Sequence, residues 1–466
     1  MPELKIEQLI RAMNKHEANS FEKYLRSPFF NSDPKLLPVF RTLFKKKSDA
    51  ASGEKQKKIS GNKSKEFRYH CSFLSTHLEN FYALRDINNA PMLAAQISLN
   101  AVAKRDAEKS FSYLFQHFRK QTEKSFHDED YYYHRYKAFN GFLAYTGQKK
   151  KRKHIIRFDE AMRELDKFYV SRKLQLVCEI VNAQNVISAE YKVLLLDEIK
   201  ELVANEHFNN EPSIDIYYKV LLTLTEPDNE THIEDLQSLI KSYSKWFSAG
   251  ELNNLYLYLK NYCIKKLNQG VSGYLERLFE IYKLILNDSK VMKSDYLSQW
   301  EFKNIVSVAL RLKETKWTQQ FIDKYLTMLH PREQRNARIY NIANLSFHLK
   351  NYKATLKLLQ NVEFSDLYYQ LDARTMMLKL YFETDDDTSF FSQVSSFRVF
   401  LSRNKLISSY QRSIYRNFIK YSVRLHRAGA KKTKLQSLLN KINSVTNIGD
   451  KRWIEENAKL LLDSIR

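Results

Sequence analysis

Glycine is the most telling shortage in this chain: nine residues in 466, where about 7% is usual. Strand-rich folds and phosphate-cradling loops lean on glycine for positive φ and close backbone approach. The shortage argues against both and for helices joined by short connections. Proline is also scarce, at eight. Three cysteines, Cys71, Cys178 and Cys263, lie far apart and cannot pair evenly, so neither a disulfide framework nor a close-spaced zinc knuckle is offered, which suits a reducing compartment. No stretch approaches the ~20 apolar residues that span a bilayer. Glu3, Lys5 and Glu7 interrupt Met1–Ile10, where a secretory signal needs an unbroken apolar run. A cytoplasmic protein without membrane insertion is expected.

Acid is missing from one long segment. Between Thr388 and Gly449 there is no Asp or Glu, while twelve Lys and Arg occur; Asp197–Asp235 carries eleven acids against Lys200 and Lys219. The net charge is +23. An AT-rich genome inflates lysine with no partner involved, but it does not empty 62 residues of acid. The asymmetry is a signal.

What is present is helical periodicity. Two short helices end at Ser27-Pro28, where proline biases its predecessor to an extended form, and Asp33-Pro34 opens a third. Residues 45–65 are charged, small and nearly free of hydrophobics, and read as a flexible basic loop. Phe67, Cys71, Leu74, Leu78 and Phe81 share one helical face. Helices are expected at about 91–104, 107–126, 129–147, 155–185, 191–205, 213–225, 232–247, 251–268 and 272–287. The aromatic ladder Tyr133, Tyr136, Phe139, Phe142 and Tyr145 suits helix packing better than base stacking. Lys149–Lys153 is a secondary basic cluster. The fold class is all-α, with stacked antiparallel helix hairpins forming an α-solenoid. The divisions are short N-terminal helices (1–44), the loop (45–65), a helical region of degenerate hairpins (66–295), repeats (296–404) and basic C-terminal helices (405–466).

A period of 35 residues carries the repeat. Leu310, Leu345 and Leu380 recur at that interval, as do Val308, Ala343 and Leu378; Leu312, Phe347 and Phe382; and Phe321, Leu356 and Phe391. Trp317 matches Tyr352, with Asp387 third. Each unit is too thin to bury its own apolar face, and stacking buries it. The stretch Tyr340–Leu345 followed by Phe347–Tyr352 resembles the first helix, turn and second-helix aromatic of the tetratricopeptide repeat, and Trp317–Phe321 resembles the start of a second helix. Gln320, Thr355 and Phe390 stand where that family has a small residue, and the closing proline is missing. The whole chain also resembles a group of uncharacterised helical proteins of Bacteroidota, through Lys23-Tyr24-Leu25 running into Ser27–Asn31, Asn261-Tyr262-Cys263 and Tyr415–Ile419. That second resemblance implies no activity.

No Gly-rich phosphate loop, metal-spaced Cys/His set or nucleophile motif occurs. No enzyme activity, cofactor or metal is expected. The acidic run Glu383, Asp385, Asp386 and Asp387 reads as a solvated turn. Two binding surfaces remain. Tyr340, Asn341, Asn344 and His348 fall together away from the set Ile339, Ile342, Leu345 and Leu349. The tetratricopeptide resemblance implies a concave face that grips peptides with such groups; ordinary polar residues on a solvated or packed face are the plainer reading. Arg412, Arg416, Lys420, Arg424 and Arg427 recur opposite the stripe Ile407, Ile414, Phe418, Tyr421 and Leu425. No acids offset them, so neighbouring like charges repel. They face a phosphate backbone, an acidic protein, the chain's own 197–235 segment, or only water. The leading expectation is a non-catalytic adaptor holding a protein or peptide in its concave face. The alternative is a nucleic-acid-binding protein using the basic C-terminal helices.

Overall fold

The computed structural model describes residues 5–51, 65–105, 107–123, 125–148, 158–184, 193–205, 207–292, 296–360, 367–445 and 447–465. Among the described residues the chain forms 23 α-helices and no strand. It divides into two compact units, Met1–Ser248 and Ala249–Arg466.

The first unit opens with α1 (Lys5–Ala12), α2 (Lys15–Arg26), α3 (Leu36–Ala51) and α4 (Lys65–Asn89). Next come α5 (Pro91–Ala103), α6 (Glu108–Thr122) and α7 (Glu129–Gln148). It closes with α8 (Phe158–Gln184), α9 (Leu196–Ala204), α10 (Pro212–Thr225) and α11 (Thr231–Tyr243). Helix α2 starts on a reciprocal cap: Asn14 accepts from the Glu17 amide at 2.9 Å, and Glu17 accepts from the Asn14 amide at 2.7 Å. It ends before Ser27, which is extended. Ile6, Phe21, Phe40, Leu74 and Leu78 form one core of α1–α4. The aromatic ladder supplies another: Phe139, Phe142 and Tyr145 are buried against Phe111, Phe115 and Phe118. Helix α3 runs seven residues into the stretch expected to be a loop, because Leu43 and Phe44 still pack on the α1–α4 core. Residues 52–64 of that stretch, and Lys149–Lys153, lie outside the described residues.

The second unit holds α12 (Ala249–Asn268), α13 (Tyr274–Asn287), α14 (Ser289–Met292), α15 (Gln299–Arg311), α16 (Thr315–Tyr325) and α17 (Pro331–His348). It continues with α18 (Tyr352–Leu359), α19 (Leu367–Glu383), α20 (Asp387–Arg403), α21 (Ser409–Ala428), α22 (Lys432–Asn443) and α23 (Lys451–Asp463). Four helix pairs are joined by one recurring turn. Gly270, Lys313, Lys350 and Asp385 each have positive φ, at 82°, 62°, 58° and 53°. The residue after each donates its amide five positions back: Val271 to Lys266, Glu314 to Ala309, Asn351 to Ser346 and Asp386 to Tyr381. This is the left-handed stop that closes a helix by satisfying its last carbonyls.

The turn corrects the expected register. Leu310, Leu345 and Leu380 are all buried, as are Val308, Ala343 and Leu378, so the first helices keep the interval of 35. Lys313 and Lys350 are 37 apart, however, and Lys350 and Asp385 are 35 apart. Helix α17 runs two residues longer before it stops. The second helices therefore align on Thr318, Thr355 and Phe390, all fully buried. Threonine, not Gln320, fills the small position in the first of these units. Phe391, expected in register with Phe321, is exposed, and Leu356 is half-buried.

Candidate interaction surfaces

The residues expected to line a peptide groove are mostly interior. Tyr340, Asn341 and Asn344 are buried, and His348 is exposed. Asn341 donates Nδ2 to the Ala337 carbonyl at 2.7 Å, within its own helix, and among the described residues its Oδ1 has no partner. The Tyr340 ring meets Tyr369 edge-on at 5.1 Å, and burial pushes its phenol well above its ordinary range. His348 Nδ1 donates to the Asn344 carbonyl at 2.9 Å. Leu349, expected in the core, is exposed. Polar identity misled here: α19 packs on α17 through Tyr369 and Ala373 against Tyr340 and Ala343, and Asn341 and Asn344 are buried in the same helix.

The chain's own ion pairs link residues of the second unit. Lys260 meets Glu301 at 2.5 Å, Lys303 of α15 reaches Asp372 of α19 at 2.5 Å, and Lys379 pairs with Asp450. Glu383 accepts from Tyr352 and from Trp453 Nε1, both at 2.7 Å. Two more acids of the run are likewise committed. Asp386 caps α20 by accepting from the Ser389 amide at 3.0 Å, and Asp387 takes His426 at 2.7 Å.

The basic stripe divides in two. Arg412 is half-buried and donates to the carbonyls of Leu401, Asn404 (3.0 Å) and Ile407 (3.1 Å), closing the α20–α21 connection. It is a structural residue, not a free cation. Arg416, Lys420, Arg424 and Arg427 are exposed, and among the described residues no ion pair holds any of them. Lys420 and Arg424 lie over the Tyr421 ring from either end, at 5.5 and 5.4 Å. The 197–235 segment belongs to the first unit.

Two clusters in the first unit have no counterpart in the sequence reading. One is buried and self-consumed. Arg135 holds Glu164 through two bonds of 2.6 and 2.9 Å, Lys167 pairs with Glu211, and Tyr132 donates to Glu211 at 2.9 Å. His127 is stacked between Tyr131 and Trp246, each at 4.2 Å. Burial, reinforced by Arg135, pushes its imidazole down to about 4.

The other cluster is exposed. Six rings touch in series: Phe29 and Phe30 at 4.9 Å, Phe30 and Tyr24 at 4.6 Å, then Tyr24 and His77 at 6.0 Å. The series continues through His77 and Phe73 at 5.3 Å to Phe73 and Tyr69 at 5.9 Å. Phe29 is 87% exposed, Tyr69 61%, Phe73 44% and Phe30 39%. The loop that presents Phe29 and Phe30 is tied down by Asn31, whose Nδ2 donates to the Leu25 and Asp33 carbonyls at 2.8 and 3.0 Å. Ion pairs from Lys35 to Glu66 (2.9 Å) and His70 to Asp33 (3.5 Å) fasten the loop to α4. A signal was available: Tyr69 and Phe73 are one helical turn apart and off the predicted core stripe.

Among the described residues, no cluster of three or more His, Cys, Asp or Glu is arranged to hold a metal, and no helix is long and apolar enough to cross a membrane. The three cysteines are buried and none is in a disulfide. No protein-family model, curated protein or solved structure matches this chain.

Proposed function

We propose that this chain is a non-catalytic adaptor of stacked helix hairpins, similar in plan to tetratricopeptide arrays, that docks a protein partner. The site is the aromatic series of α2, α4 and the loop after α2, in place of the amides of α17. The carrying observation is Phe29, almost wholly exposed on a loop held by Asn31, at the end of a ring series that also exposes Phe30, Phe73 and Tyr69. Contiguous exposed apolar surface marks interaction sites, and rigid aromatic side chains supply most of the energy where such sites bind. The recurring turn of α12 to α20 supports the hairpin plan. In the first unit Tyr132 bonds to Glu211 and Arg135 to Glu164, which supports a structural role for this buried cluster. Buried thiols in no disulfide suit a reducing cytoplasm.

The test is quantitative co-purification from the native cytoplasm with the parent chain and with Phe29→Ser and Tyr69→Ser together. Both positions are exposed, so thermal stability should change little, within about 0.5 kcal/mol. Loss of the same defined proteins from the variant's captured set supports the proposal. An unchanged set overturns it.

A further inference from the structure

We propose that the exposed face of α21 binds the phosphate backbone of nucleic acid. This site is separate from the aromatic series and stands or falls without it.

Arg416, Lys420, Arg424 and Arg427 follow one another by four, four and three residues on a helix. At 1.5 Å of rise per residue they form a line about 16 Å long. Behind them, Phe418, Tyr421 and Leu425 fix the helix in the core, so the line is held on a rigid element. The Tyr421 ring lies beneath Lys420 and Arg424, and cations over an aromatic face are attracted to it. Carboxylates that reach α21 go to residues outside the line: Asp387 is taken by His426 at 2.7 Å, and Asp372 accepts from Tyr415 at 3.5 Å. Some bases elsewhere are paired, as in Arg41 with Glu22 and Lys303 with Asp372. Here the four bases are left in water within a segment free of Asp and Glu.

A regular line of like charges with three guanidinium groups matches a regular polyanion. Guanidinium binds phosphate through two parallel bonds. Duplex DNA carries one charge per about 1.7 Å of axis, so the line spans roughly ten phosphates. The contacts go to the backbone, so binding is expected to be independent of base sequence.

The experiment measures binding of the full chain to labelled 20-nucleotide single strands and duplexes of two unrelated sequences, across a salt series. Four phosphate contacts give a log–log salt slope of about −3.6 for duplex and about −2.8 for a single strand. Arg416→Glu with Lys420→Glu should weaken binding at least tenfold and flatten the duplex slope by about 1.8. Arg416→Gln with Lys420→Gln gives the same direction with smaller perturbation should the reversal fail to fold. Arg412 is left intact because it closes the α20–α21 connection. Absence of binding at low salt, an affinity unmoved by both double variants, or equal displacement by polyglutamate would each overturn the assignment. The last result would point to an acidic protein instead.

Discussion

Lys313 and Lys350 occupy the same point of the same turn, both with left-handed backbone, where the pair α12 and α13 uses Gly270. Lysine bears a Cβ that crowds the following carbonyl in this conformation, at a cost of about 1–2 kcal/mol. Lys350→Gly should therefore stabilise the chain by about 0.5–1 kcal/mol, part of the relief being offset by glycine's freedom when unfolded. Gly270→Ala should destabilise it by about 1 kcal/mol through backbone strain alone, since an added Cβ there meets nothing within 4 Å. Urea unfolding of the two variants checks the opposite signs.

Arg412 and Arg416 stand one turn apart on α21 and should behave differently. Arg412→Ala leaves the carbonyls of Leu401, Asn404 and Ile407 without their donor. Hydrogen bonds to a charged group contribute about 1.5–3 kcal/mol, so the melting temperature should drop clearly. Arg416→Ala should leave it nearly unchanged. Equal melting temperatures would contradict the assigned roles.

In the repeat, Leu345→Asp places an unpaired charge in a buried interface and should cost several kcal/mol. Asn341→Ala removes one buried bond to its own helix and should cost about 1 kcal/mol. Asn344 is buried as well, so Asn344→Ala is expected to be felt in stability and not in peptide binding. Thermal melts of the three variants rank them.

Much of the helical plan was legible. Pro91 and Pro212 open helices at their first turn, and polar connectors such as Glu226–Asn229 end them, so the limits expected from sequence fall within a few residues of those observed. The two-residue lengthening of α17 was not legible, because a lysine in the left-handed region has no compositional mark, unlike Gly270. The amides of α17 were misplaced because Asn is read as solvent-facing, whereas Asn341 is buried and donates to Ala337 within its own helix. Arg412 was counted with its neighbours because periodicity places a side chain on a face and says nothing of carbonyls in a preceding loop. The aromatic series joins two separate segments, which no single window of sequence contains.

Acid should weaken the first unit through His127. Its imidazole falls from an ordinary 6.5 to about 4 in the folded chain. Between those values the unfolded chain binds the extra proton, so stability is full above pH 6.5 and declines as pH falls towards 4. The shift corresponds to about 3 kcal/mol at most. His127→Phe keeps an aromatic ring against Trp246 and should flatten this part of the stability profile. A profile with the parent's slope would show that the ring is not the titrating group.

The central claim is that Phe29 sits at a protein contact. The most direct measurement replaces Phe29 with photoreactive benzoylphenylalanine and irradiates living cells. Position 410 serves as control, because Tyr410 is also exposed but lies in the second unit, outside the aromatic series. The account predicts a discrete covalent adduct with another protein from position 29, resistant to nuclease and absent from position 410. No adduct at 29, or the same adducts from both positions, would contradict it.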